Sequence, residues 1–322
     1  MKEPLVRIEN LSKFFPVKKG MFRKKSNPVK AVNRLSLDLY EGETLAIVGE
    51  SGCGKSTFGR TMLRLMEPTE GKVWYQGQDL FSLSGDRLRN MRKHMQIIFQ
   101  DPFGSLNPRM RVQEIIAEPL VAHGLGNHKQ RMERVQELME VVGMNAEQMN
   151  RYPHEFSGGQ RQRISIARAL SLNPKLIVCD EAVSALDVSI QSQVLNLLQD
   201  LQSRYGLTYL FISHNLSVVR YLADRVGVMY LGKIVELGNG DDVYDSPAHP
   251  YTQALLSAIP EPHPENRRER IILQGDVPSP ANPPSGCAFH VRCPYAQPEC
   301  SRQVPELREV RPGHWVSCHF HL

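Results

Sequence analysis

The nine residues GESGCGKST (49–57) decide the fold. They fit the phosphate-loop pattern G-x-x-x-x-G-K-[ST], and the apolar run TLAIVG (44–49) that leads into them predicts a buried strand. Glycines let successive backbone N–H groups surround a phosphate, and the N-terminus of the helix that follows adds partial positive charge. The stretch therefore predicts a nucleotide-binding loop made of Gly49, Glu50, Ser51, Gly52, Cys53, Gly54, Lys55, Ser56 and Thr57.

Two side chains of this loop have defined chemical roles. Lys55 is expected to reach the β- and γ-phosphates, and the Ser56 hydroxyl is expected to ligate Mg²⁺. Further along the chain, LIVCDE (176–181) predicts a buried strand that ends at Asp180, a second candidate ligand of Mg²⁺. Glu181 follows directly and is expected to be the general base on the attacking water, which is worth about 10²–10⁴-fold in rate.

The wider pattern around these motifs is that of an α/β protein. Strand and helix patterns alternate, which predicts parallel pairing. The first 45 residues alternate apolar and polar positions as β structure does, and VGVMYLGKIVELG (226–238) predicts a hairpin about Gly232. Proline becomes frequent after about residue 245. We therefore expect a cassette domain at 1–245, with a helical subdomain at about 101–170, and a C-terminal extension at 246–322.

Composition limits the functional classes. With 41% hydrophobic and 23% charged residues, the 322-residue chain has the composition of a soluble globular protein. It shows no signal peptide and no apolar run long enough to cross a bilayer, so a cytosolic location is expected. The net charge of +5 is mild, and the basic run KKGMFRKK (18–25) is typical of a solvated loop. Nothing in the sequence indicates a nucleic-acid-binding motif.

A second glycine motif, FSGGQRQR (156–163), has half of the features of a phosphate site. A serine and two glycines open a predicted helix, which is an anion-binding arrangement. No lysine follows the glycines to hold a phosphate. The chain thus carries one complete phosphate loop and one partial site.

The order of these motifs resembles the ATP-binding cassette of ABC transporters. After the phosphate loop come Gln100 at the end of the predicted strand MQIIFQ (95–100), then FSGGQRQR, LIVCDE, SALD (184–187) and finally His214. The resemblance covers about residues 5–245. It implies a P-loop ATPase core with a β subdomain and a helical subdomain, and it implies ATP and Mg²⁺ as ligands.

The resemblance also explains the partial site. In that family two cassettes pack head to tail, and each ATP lies between the phosphate loop of one chain and the glycine motif of the other. The resemblance assigns Gln100 to sensing Mg²⁺ and the attacking water, His214 to the γ-phosphate, and Phe15, or its neighbour Phe14, to stacking on adenine. It gives the partner's ATP the signature residues Ser157, Gly158, Gly159 and Gln160. It assigns a D-loop to Ser184, Ala185, Leu186 and Asp187.

Two positions depart from the family pattern. The usual proline after the paired carboxylates is Ala182 here, and the usual aspartate after the histidine is Asn215. Neither change removes a catalytic group, so ATP hydrolysis is still expected.

Four of the six cysteines lie close to the C-terminus. Structural disulfides are unusual in a cytosolic chain, so four thiols in a proline-rich segment favour a metal site. The C-x₂₋₄-C pairs that are usual for zinc are absent, whereas an iron–sulfur cluster tolerates wider spacing. Nearby His290, His314 and His319 keep zinc open as an alternative, and structural thiols without a metal are a third. The candidate ligands are Cys287, Cys293, Cys300 and Cys318.

The extension is similar to the C-terminal region of oligopeptide and dipeptide importer ATPases, in HPYTQALLSAIP (249–260) and in RERIILQGDVPSPANPPSGCAFHVRC (268–293). That resemblance implies a [4Fe–4S] cluster on the four cysteines.

The similarity to these importers also implies partners. They are a second, related ATPase chain, two transmembrane permease subunits and, indirectly, a periplasmic substrate-binding protein, with the chain peripheral on the cytoplasmic face of a bacterial inner membrane. The alternatives are an ATPase for nickel or another small solute, a soluble ABC ATPase acting on DNA or ribosomes, and a redox or metal sensor built on the extension.

Overall fold

The structure is a computed structural model that describes residues 3–16, 27–259 and 270–322. The basic run 18–25 lies outside these residues. The chain divides into two compact units, the first drawn from residues 1–39, 44–81 and 213–322 and the second from 40–43 and 82–212. This division does not test the predicted boundary at residue 245, which stays a prediction.

The first unit contains two groups of strands. One is an antiparallel sheet of four strands in the order β2-β1-β4-β5. The other has the order β11-β12-β10-β9-β3, in which the pair β3 and β9 is parallel and the remaining pairs are antiparallel. These strands are β1 (Val6–Phe15), β2 (Val29–Leu39), β3 (Thr44–Val48), β4 (Glu70–Tyr75), β5 (Gln78–Asp79), β9 (Arg225–Tyr230), β10 (Lys233–Asn239), β11 (Arg308–Arg311) and β12 (His314–Val316).

Five helices of the first unit accompany these strands. They are α1 (Lys55–Met62), α8 (Leu216–Leu222), α9 (Gly240–Asp245), α10 (Pro250–Ser257) and α11 (Pro298–Arg302).

The second unit combines three parallel strands, in the order β8-β7-β6, with the longest helices of the described chain. Its strands are β6 (Met95–Ile98), β7 (Leu176–Asp180) and β8 (Thr208–Ile212). Its helices are α2 (Gly85–Met91), α3 (Pro102–Ser105), α4 (Val112–Ala122), α5 (His128–Val141), α6 (Gly158–Leu170) and α7 (Val188–Tyr205). Short 3₁₀ turns occupy Leu80–Ser82, Arg92–His94, Ala146–Asn150 and Pro153–Glu155.

The sequence patterns account for these elements. Every residue of β3, β7 and β8 is buried, as expected for largely apolar strands in parallel pairing. In β1 the burial alternates, with Val6 and Ile8 inside and Arg7 exposed. The prediction of an α/β fold is therefore confirmed, and so is the hairpin, whose turn places Gly232 at a φ of 81°.

No helix in the described part of the chain is both long and apolar enough to cross a bilayer.

Candidate functional site

The phosphate loop lies between β3 and α1, where the sequence predicts it. Gly49 and Gly54 take φ angles of 151° and 110°. A Cβ atom on Gly49 would collide with the Met229 carbonyl oxygen, and one on Gly54 with the carbonyl oxygen of Ala31. Glycine is thus required at both positions, because the loop backbone packs directly against the neighbouring strands.

Lys55 crosses this loop from the first turn of α1. Its ammonium group donates to the carbonyl oxygens of Gly49 at 2.8 Å and Glu50 at 3.0 Å, and its side chain is buried. The Cys53 thiol lies 3.9 Å from the same ammonium, and burial raises the pKa of that thiol. The cation is therefore held over the concave backbone of the loop, where an anionic group would bind.

The paired carboxylates occupy the C-terminal end of β7. Asp180 is buried and Glu181, the next residue, is half-exposed. Glu181 adopts a left-handed φ of 50°, and its N–H donates to the Ile212 carbonyl at 3.0 Å. The Gln100 side-chain Nε2 donates to Glu181 Oε2 at 2.8 Å. The structure thus brings together two of the predicted catalytic residues, and it holds Glu181 in a conformation that costs a non-glycine residue energy.

His214 is exposed just beyond β8, two residues after the strand ends. Asn215 follows as the N-cap of α8, and its side-chain oxygen accepts from the N–H groups of Ser217 at 3.0 Å and Val218 at 3.4 Å. Asparagine and aspartate cap helices about equally well. The departure from the family's aspartate therefore keeps the local structure that presents His214.

The signature motif begins α6. Ser157 is the N-cap, its hydroxyl accepts from the Gln160 N–H at 3.3 Å, and the Gln160 side chain accepts from the Ser157 N–H at 3.0 Å. Ser157 is exposed, whereas Gly159 is buried against Ile190 of α7. The motif therefore presents a serine and the positive end of a 13-residue helix at the surface of the chain.

The predicted D-loop connects β7 to α7. Ser184, Ala185 and Asp187 are exposed. The Ser184 hydroxyl donates to the Glu181 carbonyl at 2.9 Å, which ties the loop to the end of the strand. Ala182, at the position where the family has proline, is buried, so its small side chain fills space in the core.

Phe14 and Phe15 close the end of β1, opposite Lys30 and Val29 of β2. Both rings are half-exposed, and the Lys13 ammonium lies 5.2 Å from the centre of the Phe15 ring. Neither residue belongs to the buried core. The assignment of Phe15 to adenine stays a prediction.

Sequence reasoning missed two residues that contact the phosphate loop. Arg292 pairs with the Glu50 carboxylate, and the Tyr251 hydroxyl accepts a hydrogen bond from the Glu50 N–H at 2.9 Å. Both follow the loop by about 200 residues or more in the chain, and no spacing rule connects such distant positions. The sequence offered only a weak indication of this contact, which is that Arg292 lies between an apolar residue and a cysteine.

The prediction of an iron–sulfur cluster, or of zinc in its place, is wrong. In the part of the chain that the structure describes, no group of three or more His, Cys, Asp or Glu side chains is arranged to hold a metal ion. The four cysteines Cys287, Cys293, Cys300 and Cys318 do line one small cavity, but it encloses about 10 Å³, room for one water molecule at most.

Three of these four thiols have a shifted pKa. Burial raises the pKa of Cys287 and of Cys293, and it raises the pKa of Cys318 to about 11. In the structure all six cysteines of the chain are free, and the late four pack with aromatic residues such as Phe289 and Tyr295.

Family comparisons agree with the geometry. The family model described as ABC transporter matches residues 32–184, and the model described as oligopeptide/dipeptide transporter, C-terminal region, matches residues 235–300. The chain is 56% identical to the oligopeptide transport ATP-binding protein AppF of Bacillus subtilis, over 99% of this chain and 98% of that protein.

Two solved structures show the same fold. A dimeric, post-hydrolysis structure of the ATP-binding cassette MJ0796 bound to ADP and Pi matches with a TM-score of 0.64 at 29% identity, covering 73% of this chain and 98% of that one. The structure of cbiO1 from Clostridium perfringens matches with a TM-score of 0.65 at 23% identity, covering 76% of this chain and 92% of that one, which supports the fold alone.

Proposed function

Since this chain belongs to the ABC transporter ATP-binding proteins that carry the oligopeptide/dipeptide transporter C-terminal region, we propose that it is the ATP-hydrolysing subunit of a bacterial peptide importer. One observation carries the enzymatic part: Lys55 is buried across a preformed phosphate loop in which Gly49 and Gly54 admit no side chain. The peptide-import part rests on the similarity to AppF across nearly the full length of both chains.

In the proposed reaction the phosphate loop binds the triphosphate of ATP. Its backbone N–H groups and Lys55 neutralise the β- and γ-phosphates. Mg²⁺ fits the oxygen donors available, which are the Ser56 hydroxyl, the Asp180 carboxylate and the Gln100 amide oxygen, because Mg²⁺ prefers oxygen ligands. When bound, the ion supplies charge neutralisation at the phosphate oxygens.

Hydrolysis is an in-line attack of water on the γ-phosphorus. The Glu181 carboxylate takes the proton of the attacking water, and the bond from the γ-phosphorus to the bridging oxygen breaks to release ADP and inorganic phosphate. Gln100, hydrogen-bonded to Glu181, orients the carboxylate and the water. His214 contacts the γ-phosphate.

A second cassette completes the site. Ser157, Gly158 and Gly159 at the start of α6 donate to the γ-phosphate of an ATP on the partner chain, and Gln160 and the D-loop residues 184–187 lie at the same contact. The exposed serine at a helix N-terminus supports this role. The dimeric form in which MJ0796 is bound to ADP and Pi also supports it. In the importer the partner is a second, related ATPase chain.

The remaining partners follow from the importer class. Two transmembrane permease subunits carry the peptide, and a periplasmic binding protein delivers it to them. This chain then works as a peripheral subunit on the cytoplasmic face of the inner membrane and does not itself contact the peptide.

Reconstitution tests the proposal. The chain is co-expressed with the permease subunits and the second ATPase chain of its importer, and the purified complex is placed in lipid vesicles with the cognate binding protein and peptides. ATP hydrolysis and peptide uptake should rise together when peptide is added, and both should disappear in the Lys55→Ala complex. Hydrolysis that responds to Ni²⁺ and not to peptide would overturn the substrate class, and wild-type hydrolysis no faster than that of Lys55→Ala would overturn the ATPase assignment.

A further inference from the structure

The phosphate loop contains one acidic residue, Glu50, and the C-terminal extension pairs with it. Arg292 Nη1 donates to Glu50 Oε2 at 2.7 Å, and Nη2 donates to Oε1 at 2.9 Å. These two parallel bonds form a bidentate fork, the strongest common geometry of an arginine–carboxylate pair. The Arg292 side chain is 7% exposed and that of Glu50 is 27% exposed, so solvent and ions reach the carboxylate only in part.

A cluster of aromatic rings fixes this pair in place. Tyr251 of α10 accepts from the Glu50 N–H at 2.9 Å, and its ring is fully buried. Tyr230 of β9 lies with its ring centre 4.8 Å from that of Tyr251 and 5.4 Å from that of Phe289. Phe289 precedes Arg292 by three residues. The extension therefore holds both the backbone and the side chain of Glu50 on a rigid support.

Because Glu50 is negatively charged, its contact with Arg292 affects the binding of a nucleotide triphosphate. A carboxylate within an anion-binding loop repels the triphosphate, and this repulsion is large wherever water is excluded. The guanidinium of Arg292 cancels that charge. Its hydrogen bonds to Glu50 raise the pKa of Arg292, so it stays charged at any working pH.

We propose that Arg292 is a positioning residue of the nucleotide site. By pairing with Glu50 it neutralises the acidic group of the phosphate loop and holds the loop in its anion-binding conformation, so that the C-terminal extension sets the affinity of the cassette for ATP. The inference rests on the proposed ATPase function. It assigns the extension a role in the nucleotide site that needs no metal.

The test measures equilibrium binding of a fluorescent ATP analogue to the full-length chain with Mg²⁺. Arg292→Gln leaves Glu50 charged and unpaired, so affinity should fall about tenfold at low ionic strength, which corresponds to about 1.4 kcal/mol. Because the cause is a charge, the deficit should shrink as salt is added. Arg302→Gln is the matched control, since Arg302 is an exposed arginine of the same extension, and its affinity should equal that of the wild type.

A double variant separates charge from folding. Glu50→Gln/Arg292→Gln removes both charges together, and it should regain most of the affinity that Arg292→Gln loses, to within about threefold of the wild type. Arg292→Lys keeps the positive charge but cannot form the bidentate fork. Its affinity for the ATP analogue should therefore lie between that of the wild type and that of Arg292→Gln. Thermal melting of each variant checks that the chain is folded at the temperature at which binding is measured.

Either of two results would overturn the inference: wild-type affinity in Arg292→Gln, or a double variant as weak as the single one. The second result would mean that Arg292 merely supports the fold. Failure of the proposed ATPase function looks different, because the wild type would then bind the analogue no better than Lys55→Ala does.

Discussion

At the scale of single residues, Glu181 is the residue assigned as the general base, and its backbone is also strained. Its φ of 50° lies in the left-handed region, which costs a non-glycine residue on the order of 1 kcal/mol or more. The hydrogen bonds from its N–H to Ile212 and from Gln100 to its carboxylate hold this conformation. Strain of this kind is retained where the position of a side chain matters, so the observation agrees with a catalytic role.

Glu181→Gln tests that role directly. Glutamine keeps the size of the side chain but cannot accept the proton of water, so hydrolysis by the assembled complex should fall by about 10²–10⁴-fold. Binding of Mg-ATP should remain within a factor of a few. The measurements are steady-state phosphate release and equilibrium nucleotide binding on the same preparation. Hydrolysis at the wild-type rate would show that another group is the base.

His249 is a buried titratable residue at the start of α10. Its ring Nδ1 accepts from the Tyr251 backbone N–H at 3.0 Å, and the backbone N–H of His249 donates to the Glu236 carboxylate at 3.0 Å. Burial lowers the pKa of His249 to about 4, although the charge of Glu236 and the Ser317 backbone oppose this shift. Glu236 also faces His314 at 2.7 Å, so both histidines join the extension to β10 through one carboxylate.

The depressed pKa of His249 predicts a loss of stability in mild acid. The unfolded chain takes up this proton near pH 6.5, whereas the folded chain resists it until about pH 4. Stability is therefore fully present above pH 6.5 and declines as the pH falls towards 4, by about 3 kcal/mol in total. Urea unfolding at pH 7 and pH 5 measures how the free energy of unfolding depends on pH, and it should be lower at pH 5.

Asparagine at position 249 provides the control for this slope, because it caps helices without titrating. His249→Asn should flatten the dependence of unfolding free energy on pH relative to the wild type. Equal slopes in the two proteins would show that groups other than His249 cause the acid sensitivity.

Single residues also mark the limit of sequence reasoning at this site. Lys55, Asp180, Glu181 and Gln100 sit at strand ends and loop positions that a local motif defines, so the sequence alone predicts their placement. Arg292 and Tyr251 reach Glu50 through tertiary packing, which no local pattern encodes. The four late cysteines show the opposite error, since their number suggested a metal site that their arrangement does not provide.

At the scale of elements, long apolar runs and glycine turns predicted the structure well, and short or polar elements did not follow from the sequence. β3, β7 and β8 are buried on both faces, and α7, which follows SALD, ends at Tyr205 with Gly206 as its C-cap at a φ of 63°. β11 and β12 were missed because their segment is rich in proline and arginine, and β12 is held by pairing with β10. That pairing is a tertiary contact and leaves no periodicity in the sequence.

The contact between α6 and α7 predicts different costs for the two signature glycines. A Cβ atom on Gly159 would collide with Cγ2 of Ile190, whose β-branched side chain is stiff, so Gly159→Ala should cost about 1–3 kcal/mol of unfolding free energy. A Cβ atom on Gly158 meets Leu186 at an ordinary 3.6 Å. Gly158→Ala should leave stability unchanged or raise it slightly, since alanine favours helix over glycine.

Urea unfolding of the full-length variants measures this difference. Ile190→Ala removes Cγ2, so the double variant Gly159→Ala/Ile190→Ala should lose less stability than the two single changes together. Strict additivity, or an equal cost at both glycines, would argue against the collision.

At the scale of the whole molecule, the proposal makes a single chain incomplete. In one chain alone, the phosphate loop has no signature motif facing it, and the signature motif has no bound nucleotide to contact. When the second ATPase chain is left out of the assay, two copies of this chain are expected to pair in the same head-to-tail way, so two inactive variants with different defects should restore each other. Lys55→Ala removes the binding of ATP but leaves the signature intact. Gly158→Asp keeps the loop, is compatible with a helix N-terminus, and places a carboxylate opposite the partner's γ-phosphate.

Neither variant alone contains an intact composite site, so each should hydrolyse ATP at background rate. In an equal mixture half of the dimers are mixed, and each mixed dimer has one intact site. The mixture should then recover about a quarter of the wild-type rate per chain if the sites act independently. Phosphate release at increasing chain concentration provides the measurement. Mixing Lys55→Ala with Ser56→Ala, two defects in the same loop, should restore nothing. Equal background rates in both mixtures, under conditions where the wild type hydrolyses ATP, would contradict a site shared between chains.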